Sequence, residues 1–170
     1  DKPDTRFAME ILDFGALLKS SGFKVFDDAL ARGGIVRGLC VPGGATFSRG
    51  QMDKLTDMVK KAGGKGLVWV KPEADGKLNS PAAKFLSPEK LAEVFQKSQA
   101  TNKDCLFIVA DDFDPACAAL SALRLHLGRE LNLIPEKGYK FLWVVDFPLL
   151  EYSPDEKRWV SRHHPFTSPQ

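Results

Sequence analysis

Residues 105–112 of this 170-residue chain read CLFIVADD, a run dense in β-branched and aromatic side chains. Such a run forms a buried strand. Downstream, apolar residues recur at helical spacing, so a helix from about residue 115 to 131 is expected to bury Ala116, Leu120, Leu123 and Leu127. A buried strand leading straight into a long one-sided helix requires a sheet with helix packed on it.

The remainder of the chain continues this alternation. FAMEILDF, residues 7–14, reads as a strand entering a short helix at about Asp13, whose carboxylate can cap the amides of the next turn. Residues 23–26 read as a short strand and IVRGLCV, residues 35–41, as a longer one. In the PGGA turn at residues 42–45, two glycines allow positive φ without a Cβ clash, and the chain reverses. Ser48 caps a helix reaching about Ala62, with Met52, Leu55, Val59 and Ala62 on one face. The glycines of AGGKG, residues 62–66, stop that helix, and LVWVK, residues 67–71, resumes a strand. Residues 72–80 read as an exposed loop, and Ser87 with Pro88 opens a helix reaching about Gln99. The order of elements predicts the α+β class, as a two-layer domain with a mixed or antiparallel sheet and helices on one side.

From residue 140 the pattern changes. FLWVVDF, residues 141–147, is apolar on both faces, as a strand in the centre of a larger sheet would be. Residues 152–156 read as a hairpin turn into RWVSR. A strand of this kind wants neighbours. The chain begins without Met and stops just after a proline-containing loop, so both ends read as cut from something longer.

Composition narrows the function classes. The chain is 44% apolar and 27% charged with a net charge of +2, an ordinary balance that carries no strong electrostatic footprint for nucleic acid. No apolar run approaches the roughly 18 residues of a membrane span, and nothing at the amino end resembles a targeting peptide. Cys40, Cys105 and Cys117 are odd in number, sit in apolar surroundings and lack CxxC spacing. Reduced, buried thiols in a cytoplasmic protein are expected.

Catalytic patterns are nearly absent from the sequence. There is no Walker loop, GxGxxG, GxSxG, HExxH or paired CxxC, and GGKG at residues 63–66 reads as a helix stop. Asp111, Asp112 and Asp114 are expected to serve as caps and dipole partners of the following helix in preference to binding metal. Arg49 and Lys84 are candidate phosphate contacts whose simpler role is solvated charge, and His126 is expected on a helix surface. The strongest candidates are His163 and His164, in HHPFTSPQ at residues 163–170. Imidazole titrates near neutrality and can meet an anion, and Pro165 holds His164 extended so that the two rings point to opposite sides.

Six motifs carry a resemblance: DKPDTRFAME at residues 1–10, VPGGA at 41–45, NSPAAKF at 79–85, ALRLHLG at 122–128, FLWVVDFPLLEY at 141–152 and HHPFTSPQ. In this order they resemble an internal piece of the bacterial-type aspartyl-tRNA synthetases, which are class II enzymes. The resemblance implies that residues 1–6 are a linker, that residues 7–134 form the GAD insertion domain with a DCoH-like fold, and that residues 135–170 return into the catalytic domain. It implies a parent enzyme that uses ATP and magnesium to activate L-aspartate and transfers it to tRNA. His163, with His164 beside it, would then recognise aspartate as a binding group and not as a nucleophile.

The same resemblance implies what this segment lacks. The arginines of motifs 2 and 3 and the acidic residues that hold magnesium have no counterpart, so no cofactor is expected here and the isolated chain is expected to be inactive. Gln170 stands where a Lys commonly follows FTSP. The parent enzyme is expected to be a homodimer and this piece a monomer, with no membrane partner. A different class remains open, in which the GAD region is an autonomous module binding tRNA or a protein. The motifs at residues 141–170 favour the synthetase segment.

Overall fold

The computed structural model describes residues 4–7, 9–73, 75–145, 148–153 and 155–162, and the chain divides into two compact units. The larger unit, Arg6–Lys137, holds strands β1 (Ile11–Asp13), β2 (Ile35–Val41), β3 (Val68–Pro72), β4 (Leu78–Asn79) and β5 (Cys105–Asp111). Its helices are α1 (Gly15–Leu18), α2 (Lys24–Ala31), α3 (Arg49–Lys61), α4 (Pro88–Lys97) and α5 (Phe113–Glu130). The strands form one sheet in the order β1-β2-β5-β3-β4, with every neighbouring pair antiparallel.

Strand β5 is the centre, and its apolar run explains why. All seven of its residues are buried. One edge pairs with β2 from Ile35↔Asp111 to Val41↔Cys105, and the other with β3 from Val68↔Ile108 to Val70↔Leu106. Successive side chains leave opposite faces of a strand. Accordingly Cys105, Phe107 and Val109 join a core built with Met52, Leu55 and Val59 of α3 and Leu120, Leu123 and Leu127 of α5. Leu106, Ile108 and Ala110 join a second core with Leu18 of α1, Phe26 and Ala29 of α2, and Leu91 and Val94 of α4.

The α+β class and the antiparallel sheet are therefore as expected. The placement of the helices differs: they cover both faces of the sheet, so the two-layer arrangement with helices on one side needs a further layer. A strand that is apolar on both faces requires cover on both.

Residues 23–26, expected as a strand, belong mostly to α2. Phe26 and Ala29 are its buried side chains, three positions apart, and the Asp27 carboxylate accepts hydrogen bonds from Ser21 N and Gly22 N, both at 2.9 Å, which fixes the entry into the helix. The segment 72–80, expected as an exposed loop, contributes β4, whose Asn79 and Leu78 pair with Lys71 and Pro72. Ser80 is buried, and its hydroxyl accepts from Ala82 N at 3.1 Å to cap a 3₁₀ turn at Pro81–Lys84.

Local signals set the other boundaries. A capping box starts α3: Ser48 Oγ accepts from Gln51 N at 3.3 Å while Gln51 Oε1 accepts from Ser48 N at 2.9 Å. Of the two glycines in the turn before it, Gly43 takes φ of 72°, whereas Gly44 is needed for space, since a Cβ there would lie 2.7 Å from Cys105 Cβ. Asp13 accepts from Gly15 N at 2.7 Å, as expected of its carboxylate.

The smaller unit comprises Asp1–Thr5 and Gly138–Gln170. Within it β6 (Leu150–Ser153) and β7 (Arg158–Ser161) form the expected hairpin, in register from Ser153↔Arg158 to Leu150↔Ser161. Residues 141–145 are not a strand, contrary to expectation, and residues 146–147 lie outside the described residues. Among the described residues no strand lies beside 141–145, and an extended segment without a partner leaves its backbone polar groups to solvent. Among the described residues no helix is long and apolar enough to cross a membrane.

Candidate functional site

His163 and His164 lie outside the described residues. Of the other candidates, Arg49 opens on a groove. It is the first residue of α3, and with Met52 and Asp53 from the same helix it faces Trp69 and Lys71 of β3, together with Asn79, Ser80 and Pro81. These residues line a cavity of about 520 Å³, within the range of small-molecule sites. The capping box sets where α3 begins and so where Arg49 and Asp53, one turn apart, present themselves. Alternation along β3 puts Trp69 and Lys71 on one face while Val70, between them, enters the opposite core.

Lys71 is held in place. Its Nζ donates to the carbonyl oxygens of Ala45 at 3.2 Å and Phe47 at 2.8 Å, and lies 6.0 Å from the centre of the Trp69 ring. An ammonium has three donors, and the carbonyls take two. Among the described residues neither Arg49 nor Lys71 has a carboxylate within ion-pair distance, and the Asp53 carboxylate has no hydrogen-bond or ion-pair partner. Asn79 Nδ2 donates to Glu73 Oε1 at 2.5 Å, which orients the amide at the groove's end.

The acidic cluster does something else. Asp111 is buried, and its Oδ1 takes Arg32 Nη2 at 3.1 Å, Lys65 Nζ at 2.5 Å and Asp112 N at 2.9 Å, while Oδ2 takes Lys65 N at 3.1 Å. Arg32 Nε also donates to Asp112 Oδ1 at 2.8 Å. Burial pushes the Asp111 carboxyl upward, but the hydrogen bonds from Lys65 and the two amides, with the Lys65 charge, outweigh it and hold the group below the ordinary aspartate range. Asp111 and Asp112 are thus paired with the protein's own cations, Arg32 and Lys65, which does not fit a divalent metal. Among the described residues no group of three or more His, Cys, Asp or Glu is placed to hold one. The GGKG segment serves the same lock: Gly63, at φ of 97°, follows the end of α3, and two residues later Lys65 reaches Asp111.

The remaining candidates are structural. His126 Nε2 lies 3.0 Å from Glu130 Oε2 on the outer surface of α5, in line with the surface role expected. Lys84 ends the 3₁₀ turn, exposed and outside the groove. The three cysteines are unpaired; Cys105 is buried, and Cys40 and Cys117 are half-buried. Burial pushes the Cys40 thiol up to about 11 and Cys105 to about 12, so both stay protonated and are poor nucleophiles near neutrality.

Sequence reasoning missed Trp69 and Lys71 as a pair, although LVWVK alternates in a way that puts them on one face. It also missed Arg124 within ALRLHLG. This arginine donates from Nε to Met9 O at 2.7 Å and from Nη2 to Phe7 O at 3.1 Å, with its guanidinium 4.1 Å from the Phe7 ring centre. A Cβ at Gly128 would lie 2.8 Å from that ring, so the motif seats the segment leading into β1. The signal available was a guanidinium one position from the buried Leu123, on a helix packed against the sheet.

Over its whole length the chain is 50% identical to the aspartate-tRNA ligase of Halalkalibacterium halodurans, of which it spans 29%. It is 45% identical over its whole length to the aspartate-tRNA(Asp/Asn) ligase of Persephonella marina, of which it spans 28%. Over 99% of its length it is 50% identical to the aspartate-tRNA ligase of Bacillus licheniformis, again spanning 28% of that protein. The chain thus covers less than a third of the length of these curated relatives. The model of the GAD domain matches residues 26–120, from within α2 to within α5, taking in every strand of the central sheet except β1. On that match, over more than half its residues, the chain belongs to the GAD domain family.

Proposed function

We propose that this chain is part of an aspartate-tRNA ligase, with residues 1–6 as a linker, residues 7–134 as the insertion domain and residues 135–170 as the return into the catalytic domain. The observation that carries this reading is identity to aspartate-tRNA ligases over the whole chain, well past the residues of the GAD match. A free-standing GAD module needs no likeness in residues 121–170.

In this reading the whole enzyme works in the cytoplasm as a homodimer, and the isolated chain is a monomer. Aspartate attacks the α-phosphate of ATP, releasing pyrophosphate, and a hydroxyl of the terminal adenosine of tRNA then takes the aspartyl group and frees AMP. Magnesium would screen the phosphate charge; in this reading the residues holding it lie elsewhere in the enzyme, and Asp111 is already occupied by Lys65 and Arg32. His163 donates a hydrogen bond to a substrate carboxylate, with His164 braced beside it. The isolated chain performs no chemistry.

ATP-pyrophosphate exchange tests both parts. Purified alone, the chain gives no aspartate-dependent exchange. In the full-length protein, His163→Ala raises the KM for aspartate by about tenfold or more, the loss expected for one hydrogen bond to a charged group, and leaves the KM for ATP unchanged. Turnover by the isolated chain, or an unchanged aspartate KM in the variant, would sink the proposal.

A further inference from the structure

We propose that the groove between the first turn of α3 and strands β3 and β4 binds a nucleotide, with the base against Trp69 and the phosphate on Arg49 and the remaining N–H of Lys71. The proposal goes beyond the ligase reading: none of its residues takes part in that reaction scheme, and its test measures no aminoacylation.

Three features select this ligand class. First, two cations, Arg49 and Lys71, line the groove with the carboxylate of Asp53, and neither has an ion-pair partner among the described residues. The second carboxylate nearby, Glu73, is held at the groove's end by Asn79. Lys71 is already immobilised by the carbonyls of Ala45 and Phe47, so little side-chain freedom is lost when its third donor meets an anion.

Second, the lining is not that of a site for a bare anion. Half-buried Trp69 supplies the apolar wall over the buried Met52, and an indole is sequence-tolerant stacking surface for any base. Asp53 would repel an isolated phosphate, yet as an acceptor it can take the exocyclic amino group of a base held beside Trp69. Asn79 adds an amide able to donate and accept.

Third, the size fits. A cavity of about 520 Å³ is large enough to hold one nucleotide. An acidic peptide would satisfy Arg49 and Lys71, but it leaves the indole and Asp53 without a role. The shared chemistry, a base with a phosphate attached, can come from a free mononucleotide or from an unpaired nucleotide of single-stranded RNA.

The chain has three tryptophans, so replacing Trp143 and Trp159 by Phe leaves Trp69 as the sole indole reporter. Both replaced residues lie outside the unit that carries the groove, and Phe keeps an aromatic ring opposite Tyr152 in the hairpin. This 170-residue protein is titrated with AMP, with inorganic phosphate, and with a single-stranded RNA of about six nucleotides in mixed sequence. AMP is expected to quench Trp69 saturably, and phosphate to compete only weakly and without quenching. Affinity for the RNA at least about tenfold above that for AMP assigns the site to single-stranded RNA; equal or lower affinity assigns it to free nucleotides. Arg49→Glu weakens AMP binding about tenfold with an unchanged thermal midpoint, because Arg49 is exposed and makes no contact the fold depends on. The proposal is overturned by any of three results: no saturable quenching by AMP or RNA, phosphate binding as tightly as AMP, or an Arg49→Glu variant that binds as well as its parent.

Discussion

Two stretches of this chain, CLFIVAD at β5 and FLWVV at residues 141–145, are drawn from the same small set of apolar residues and end at opposite extremes of exposure. Phe107 in β5 is fully buried, whereas Phe141 is 92% exposed and Trp143 is 94% exposed. Composition does not separate them; neighbours do. β5 is hydrogen-bonded to β2 on one edge and β3 on the other, with α3 and α5 on one face and α1, α2 and α4 on the opposite face. Among the described residues, 141–145 has no strand on either edge. An apolar run states a demand for burial, and whether the demand is met depends on elements distant in sequence.

The strongest way to break this comparison is to cut a large side chain from each stretch. Phe107→Ala removes a ring from the middle of a two-sided core, and about 3–5 kcal/mol of stability should go with it, a large share of what a domain of this size possesses. Trp143→Ala in the same chain should change stability by less than about 0.5 kcal/mol, as exposed substitutions do. Urea denaturation of the two variants checks both numbers. A loss above about 1 kcal/mol for Trp143→Ala would mean that residues 141–145 are packed in solution, and the contrast would fall.

The polar end of β5 gives a smaller effect and a sharper one. Asp111 is buried at the strand's last position, where Lys65, Arg32 and two backbone amides converge on it. Asp111→Ala should cost about 2 kcal/mol at neutral pH, since the amides of Lys65 and Asp112 lose their acceptor while the half-exposed cations return to water. The folded carboxyl is held below its unfolded value, so its contribution is complete above the ordinary aspartate pKa of about 4 and is lost as pH falls through the lower folded value. The stability difference between parent and variant should be flat from neutrality down to about pH 5 and shrink in more acid solution. A difference that widens below pH 4 would show that burial, and not the ion pairs, controls this group.

What could be read from the residues follows the range of the interactions involved. β2, α3 and β5 were legible because their signals are local: Ser48 ahead of apolar residues at helical spacing, two glycines before it, and an apolar run of strand length. α2 was not, because two phenylalanines in four residues imitate a strand, and the helix wins only where Phe26 and Ala29 find the second core. The cover on both faces of the sheet was implicit in β5 but required knowing which helices reach which face. The groove was half legible. Arg49 stood out as a possible phosphate contact, and alternation in LVWVK places Trp69 with Lys71, but their meeting with Asn79 and Ser80 depends on the pairing of β4 with β3 inside a segment that reads as loop. His163 and His164 were legible as an anion-binding pair from their chemistry, and as aspartate contacts only through resemblance.

The smallest expected effect sharpens the comparison from its other side. β6 and β7 satisfy each other's backbone, and Tyr152 and Trp159, directly opposite in register, meet edge to face with ring centres 5.8 Å apart at 74°. Both rings are nevertheless more than half exposed. A two-stranded hairpin with no buried face is marginal in water, and an aromatic pair of this geometry contributes about 0.5–1.5 kcal/mol, comparable to the whole stability of such an element. Trp159→Ala should therefore open the hairpin without disturbing the sheet: amide exchange in β6 and β7 should accelerate several-fold, while protection of the β5 amides stays at the parent level. Loss of β5 protection would show that the hairpin shares the cooperative stability of the central strand. If β5 is unaffected, pairing alone, without burial, is too little to anchor a strand, and β5 owes its place to the two helical layers as much as to its two hydrogen-bonded neighbours.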